Sequence, residues 1–484
     1  MVVNSINFLL FFIGVFAVYY LFLNGKAKAQ NSWLLCASYF FYGFAAWKMV
    51  PLLLTATIAF FVLGQLIGRF NQTDEQKAGL FTSLSVALGV GLLLYFKYLN
   101  FFIDSFSSFF HVIGIHTQWH NFQILMPLGI SFFTFKLISY VIEIHRGNIE
   151  PCASIVDFAT YISFFPTILS GPIDRPKPFL SQLSVARTFS YEMASMGVKR
   201  IFWGMLMKMC VADRLAIYID AVFDNAVHHN GTSLAFAALL YPLQMYADFG
   251  GYSEMAIGVA LLLGFNITEN FKRPLFSENI AEYWRKWHIS LTGWLTDYVF
   301  MPLNVAFRNL EKWGSILSII ITFVLIGLWH GADWTFALFG VYHGLLYIPL
   351  MLSGIFFKRS KAKKGDNGWP SWGKVFRMTG TFLLVALGLI LFRSHGLSEA
   401  IIIIRKIVTE QGALFVDYKT LINGLTCLLI LFFKEFKDEF FPEKELLSGG
   451  IVHRFSYELK VSFYLVIILF FGVLDGNQFI YFKF

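Results

Sequence analysis

The stretch Ser315-Ile316-Leu317-Ser318-Ile319-Ile320-Ile321-Thr322-Phe323-Val324-Leu325-Ile326-Gly327-Leu328-Trp329-His330-Gly331-Ala332-Asp333-Trp334 runs from Ser315 to Trp329 without a charged side chain and then reaches a histidine between a tryptophan and a glycine. Such a run belongs in hydrocarbon, where a spanning helix needs about 17–25 largely apolar residues. Histidine is neutral near pH 7 and can take up a proton and return it, so it sits at membrane depth at a lower cost than Lys or Asp. A second Trp-flanked histidine occurs upstream in Tyr283-Trp284-Arg285-Lys286-Trp287-His288-Ile289-Ser290-Leu291-Thr292.

Composition agrees with the run. Of 484 residues 57% are hydrophobic, 19% aromatic and 14% charged, whereas a soluble chain carries roughly 25% charged residues. The reading is an all-α polytopic integral membrane protein, one domain over residues 1–484, with no fixed-period repeat and no low-complexity linker. The run Ile6 to Leu23 follows a start without basic residues and precedes no small-residue cleavage site, so it is expected to be the first membrane helix and not a signal peptide. Cys36, Cys152, Cys210 and Cys427 are far apart and form no Cys-x-x-Cys pair, which suggests neither a disulfide framework nor a zinc site; no metal is expected.

Apolar runs at about 6–24, 32–46, 49–68, 79–96, 98–115, 124–144, 155–172, 199–212, 233–265, 315–329, 333–357, 378–393, 420–433 and 460–474 are candidate helices, several too short to cross alone. Interruptions at Pro127-Leu128-Gly129, Ser170-Gly171-Pro172 and Asp248-Phe249-Gly250-Gly251 predict re-entrant or broken helices around an internal cavity, because irregular backbone is tolerated at membrane depth only inside protein or against water. The basic cluster Lys358 to Lys364, continuing to Lys374 and Arg377, is expected on the cytoplasmic side. Residues 394–419 then fall outside, 434–460 inside and 475–484 outside. Cytoplasmic loops facing anionic lipid account for the net charge of +8 without nucleic-acid binding.

His330 stands beside Gly327, Gly331 and Ala332, small residues that let a backbone or a substrate approach. His288 follows alternating basic and aromatic residues. If helical, the segment places Trp284, His288 and Leu291 on one face and forms an interface-lying element, either an anchor or a cytoplasmic mouth in which Arg285, Lys286, Lys272 and Arg273 meet the phosphates of a donor. Asp248, costly in hydrocarbon, either orients a histidine or locks helices through Lys or Arg. Trp329, Gly331 and Asp333 complete the surroundings of His330, while His343 lacks a comparable Trp and Gly setting.

Several ordered blocks carry a resemblance to a known family. They are Asn4-Ser5, Ser38-Tyr39-Phe40-Phe41-Tyr42-Gly43, Leu94-Tyr95-Phe96-Lys97-Tyr98, Pro127-Leu128-Gly129-Ile130-Ser131-Phe132, Ser170-Gly171-Pro172-Ile173, Tyr246 to Ser253, Trp287-His288, Trp329-His330-Gly331 and Phe479-Ile480-Tyr481-Phe482. In these the chain resembles the membrane-bound O-acyltransferases, and among them the bacterial branch typified by the alginate O-acetyltransferase. The resemblance implies many helices around a central tunnel, with re-entrant and interfacial helices, in the inner membrane of a bacterium. It also implies His330 as the catalytic residue and His288 as a second functional histidine. Asp248-Phe249-Gly250-Gly251, where Asp-Phe-Ser-Gly or similar is usual, and His145, where an aromatic is usual, depart from the pattern; both bear on substrate choice more than on the reaction.

The expected reaction takes an acyl group, acetyl by preference, from cytoplasmic acyl-CoA to a hydroxyl of an extracytoplasmic polysaccharide, directly or through a secreted or membrane-anchored acetyltransferase partner. His330 serves as general base, worth a factor of about 10²–10⁴, and no cofactor stays bound. Two other readings stand beside this one. A D-alanyl transferase of teichoic-acid type needs a cytoplasmic carrier-protein surface. A transporter or flippase for a glycan or acylated substrate often shows paired inverted repeats, and no such pairing is found here.

Overall fold

A computed structural model describes residues 3–115, 119–354, 368–442 and 456–474. The cluster Lys358 to Lys364 and residues 475–484, on which the expected orientation rests, lie outside the described residues. Every regular element among the described residues is helical, as the composition requires. Among the described residues five helical segments are long and apolar enough to cross a membrane: Ala27–Asn71, Glu75–Val112, Arg308–His330, Trp334–Leu352 and Trp372–Arg393. The chain divides into two compact units, residues 1–198 with 256–268, and residues 199–255 with 269–484.

In the first unit polar caps start the helices. The Asp74 carboxylate accepts from Lys77 N, and Ser154 Oγ accepts from Asp157 N, each satisfying an N–H that the first turn would leave without a partner. Two of the expected interruptions are real. Gly129 opens Ile130–His145 at φ +70°, and a β-carbon there would lie 2.2 Å from the Ile168 carbonyl oxygen. Residues 164–174 are non-helical yet buried, so their backbone needs partners from the protein. Phe165 N donates to Ser38 Oγ, Thr167 N and Ile168 N donate to Phe164 O, and the Tyr161 hydroxyl donates to Asp174 O at 3.0 Å.

The third interruption is not a break. Asp248-Phe249-Gly250-Gly251 lies within the continuous helix Gly231–Leu262, which also contains Pro242. Its second glycine answers to packing: in the second unit a β-carbon on Gly251 would lie 2.7 Å from Gly204 O, and one on Gly204 would lie 2.4 Å from Gly251 O. Two helices meet there backbone to backbone, as small residues permit in membranes.

The same device builds the wall of the site. Glu311–His330 and Trp334–Leu352 form a helical hairpin. A β-carbon on Gly327 would lie 2.0 Å from Phe336 O, and one on Gly340 would lie 2.2 Å from Phe323 O. Trp372–Arg393 joins them through Gly388, whose β-carbon would lie 2.8 Å from the Tyr342 ring and 2.9 Å from His343 Nε2. The glycines thus bring three spans close enough for their aromatic side chains to enclose a histidine.

Candidate active site

His330 is the last residue of Glu311–His330 and is buried, with 4% of its surface exposed. After it the chain turns through extended Gly331, where a β-carbon would collide with the Phe336 ring at 2.1 Å. Asp333 then caps the next helix, its carboxylate accepting from Thr335 N at 2.8 Å. The Trp-His-Gly-Ala-Asp sequence is therefore a complete helix stop and start that leaves His330 at the seam. Its ring meets Trp329 at 5.0 Å and Phe392 at 5.1 Å between centroids. It lines a cavity of about 10 Å³ with Met245, Tyr283, Trp284, Phe339 and His343, room for about one water molecule.

His343, set aside in the sequence for want of a Trp and Gly setting, has both in three dimensions. Trp284 Nε1 donates to His343 Nδ1 at 3.3 Å, and Gly388 stands opposite Nε2. Because the indole can only donate, Nδ1 is the accepting nitrogen and the proton of neutral His343 is on Nε2. That Nε2 is buried and has no hydrogen-bond partner among the described residues. The signal in the sequence was the thirteen-residue distance from His330, which returns the chain through the turn to the same cavity.

His288 corrects the sequence reading of its own segment. The segment is two short helices, Ile280–Lys286 and Ile289–Leu295, with His288 between them at φ +44°. Trp284 and His288 consequently do not share a helical face. A left-handed conformation costs a residue with a β-carbon about 1–2 kcal/mol, and Asn270 holds the turn. Its backbone carbonyl accepts from Ile289 N at 2.9 Å, and its Oδ1 accepts from Ser290 N at 3.3 Å and Ser290 Oγ at 2.7 Å. Asn270, 1% exposed, escaped sequence reasoning because an Asn eighteen residues away carries no local signal.

The imidazole of His288 packs against Phe249, 4.6 Å between centroids, and Trp329, 5.5 Å. Its Nδ1 lies 3.1 Å from Asn270 Oδ1, while Nε2 is buried with no hydrogen-bond partner among the described residues. His288 lies outside the five candidate spans, and burial pushes its pKa down to about 3, so the ring is neutral at pH 7. The Trp329 indole contacts both histidine rings, 5.5 Å from His288 and 5.0 Å from His330 between centroids.

The remaining candidates separate. Asp248 pairs with Lys208 at 2.5 Å, and Lys208 also meets Asp213 at 2.7 Å. Arg273 and Lys286 both pair with Glu439 of the helix Tyr418–Phe440, at 2.7 and 3.0 Å, and Lys286 also meets Glu282 at 2.9 Å. Lys272 and Arg285 are exposed and have no ion pair among the described residues.

The model of the membrane-bound O-acyltransferase family, MBOAT, matches residues 39–390. The probable alginate O-acetylase AlgI of Pseudomonas aeruginosa is 36% identical over 404 residues, covering 83% of this chain and 73% of the relative. The peptidoglycan O-acetyltransferase of Helicobacter pylori is 27% identical over 445 residues, 84% of this chain and 80% of the relative. The teichoic acid D-alanyltransferase of Bacillus subtilis is 31% identical over 288 residues, 57% of this chain and 71% of the relative. The match reaches through His288 and His330, and the chain belongs to the membrane-bound O-acyltransferase family, a multi-pass membrane enzyme of O-acyl transfer.

Proposed function

We propose that the enzyme takes an acetyl group from acetyl-CoA on the cytoplasmic side and delivers it to a hydroxyl of an extracytoplasmic polysaccharide, directly or through a partner acetyltransferase with a serine. The observation that carries this is His330: a buried imidazole at the end of a membrane span, facing a cavity it shares with His343. Neutral histidines are the side chains that can move a proton there without a standing charge. In the reaction the acceptor oxygen forms a C–O bond to the thioester carbonyl carbon, the C–S bond breaks, and the hydroxyl proton passes through His330 to the departing CoA sulfur. The buried Nε2–H of His343 is a hydrogen-bond donor of the kind that stabilises charge on the carbonyl oxygen.

Acetyl and a glycan acceptor are favoured because the relatives named for O-acetylation align over 83–84% of this chain, against 57% for the D-alanyltransferase. Of the four basic residues considered for the CoA phosphates, Lys272 and Arg285 are the two left without an ion pair among the described residues. Charge-assisted contacts to phosphate are among the stronger polar interactions. Lys272→Glu with Arg285→Glu is therefore expected to raise the KM for acetyl-CoA.

The test is purified protein in lipid with labelled acetyl-CoA and soluble alginate or peptidoglycan fragments, alone and with a serine-bearing partner. Label should reach the glycan, with free CoA released in step. Label that never leaves CoA, alongside glycan flux across the bilayer, would replace this reading with the transporter.

A further inference from the structure

The contacts of Asn270 decide which nitrogen of His288 carries the proton. Asn270 Oδ1 accepts the backbone N–H of Ser290, and a backbone N–H can only donate, so this atom is the amide oxygen and not the amide nitrogen. Asn270 Nδ2 donates on the other side to Ser253 Oγ at 3.3 Å, consistent with the same assignment. The atom facing His288 Nδ1 at 3.1 Å is therefore an acceptor without a proton of its own. For a neutral imidazole only one arrangement satisfies it: the proton on Nδ1, the lone pair on Nε2. That Nε2 is fully buried, makes no hydrogen bond among the described residues, and belongs to a ring in contact with Phe249 and Trp329.

We infer that Asn270 is a positioning residue for the acyl transfer: it holds His288 in the Nδ1–H tautomer and so presents Nε2 as a proton acceptor. The inference rests on the acyl-transfer reading for its catalytic consequence, although the tautomer itself does not. That consequence is directional. In its resting form His288 can receive a proton at Nε2 and cannot give one there. His343 has the opposite arrangement, with Trp284 donating to Nδ1 and the proton on Nε2. One histidine, in ring contact with Trp329, is thus fixed as acceptor, and another, on the cavity beside His330, is fixed as donor.

Asn270 does this with a neutral amide. A carboxylate in its place would fix the same tautomer but would also stabilise the protonated ring, raising its pKa, and a proton acceptor must be unprotonated to work. Asn270→Asp should accordingly keep turnover at high pH and lose it earlier as the pH falls, because the acid limb of the rate profile follows the raised pKa upward. Asn270→Leu removes the acceptor and frees the ring to adopt the Nε2–H form. Its kcat should fall by about 10²-fold, the low end for losing a proton-transfer group, while the KM for acetyl-CoA changes little. Ser290→Ala, which removes one donor to Oδ1 and leaves the contact to His288, should keep kcat.

The decisive experiment is solid-state NMR of the full-length protein in lipid with ¹⁵N,¹³C-labelled histidine. The His288 signal is identified by its loss in His288→Gln. It should show the Nδ1–H tautomer in the natural protein and in Asn270→Asp, and a shift toward Nε2–H in Asn270→Leu. An Nε2–H ring in the natural protein would overturn the inference whatever the enzyme's substrate. So would Asn270→Leu with the natural tautomer, or with undiminished kcat. If Asn270→Leu does not fold, the natural protein's tautomer and the Asn270→Asp pH profile still decide. Failure of label to leave acetyl-CoA would instead strike the acyl-transfer reading and leave the tautomer standing.

Discussion

Two polar clusters are buried in the same unit, and they solve burial in opposite ways. Lys208, Asp213 and Asp248 answer charge with charge: one ammonium stands 2.7 and 2.5 Å from two carboxylates on different helices. His288, His330 and His343 are imidazoles, which are able to exist neutral at pH 7, and in two of them one ring nitrogen is hydrogen-bonded while the other is buried without a hydrogen-bond partner among the described residues. Buried polar atoms normally find partners, since an unmet one costs about 1–3 kcal/mol. A cluster organised around its own ion pairs holds helices together, whereas imidazoles can take up a proton and return it near pH 7.

The largest effect should come from the second cluster. His330→Gln keeps a polar side chain of similar size at the end of Glu311–His330 but removes the base. Acetylation of the exported polymer should fall by about 10²–10⁴-fold, with membrane insertion and folded yield preserved. Near-normal acetylation would move the chemistry away from His330. The first cluster should behave in reverse. Lys208→Met leaves Asp213 and Asp248 without their shared cation, and breaking a buried pair in this way costs about 3–5 kcal/mol. Folded yield and melting temperature in detergent should drop, Lys208→Arg should recover much of both, and the activity per folded molecule should be close to normal. A Lys208→Met protein that is fully folded and inactive would erase the distinction between the clusters.

Much of this was legible in the chain and some could not be. Apolar runs and 14% charged residues fix a polytopic helical protein, because hydrocarbon leaves few alternatives. Trp329-His330-Gly331 was readable because stop, turn and histidine are contiguous. Asp248 was readable as a charge that must be paired, though the identity of Lys208 was not, being forty residues away. The misreadings share a cause. Gly250-Gly251 resembles a helix break until Gly204 is seen against it, and Arg285-Lys286-Trp287-His288 resembles a continuous amphipathic turn until Asn270 is seen holding the left-handed residue. His343 and Asn270 were missed for the same reason, since each acquires its role from a residue on another element: Trp284 for His343, and His288 and Ser290 for Asn270.

Asp333 tests the boundary between the two classes and should give the smallest effect. It lies three residues after His330, so proximity in sequence suggests that its carboxylate serves the chemistry. Its observed bond, however, is to Thr335 N at 2.8 Å, at the first turn of Trp334–Leu352. That is a helix cap, which Asn supplies nearly as well as Asp, and its loss to Ala costs about 0.5–2 kcal/mol. Asp333→Ala should lower the melting temperature modestly. Asp333→Asn should restore it, and both should keep kcat within a factor of about three, since neither removes a proton-transfer group. The charge is what distinguishes the alternatives, because Asn preserves the cap and discards the carboxylate. If Asp333→Asn folds as the natural protein does and loses tenfold or more in kcat, Asp333 acts with His330 through its charge, and the chemistry extends past the seam into the second helix of the hairpin.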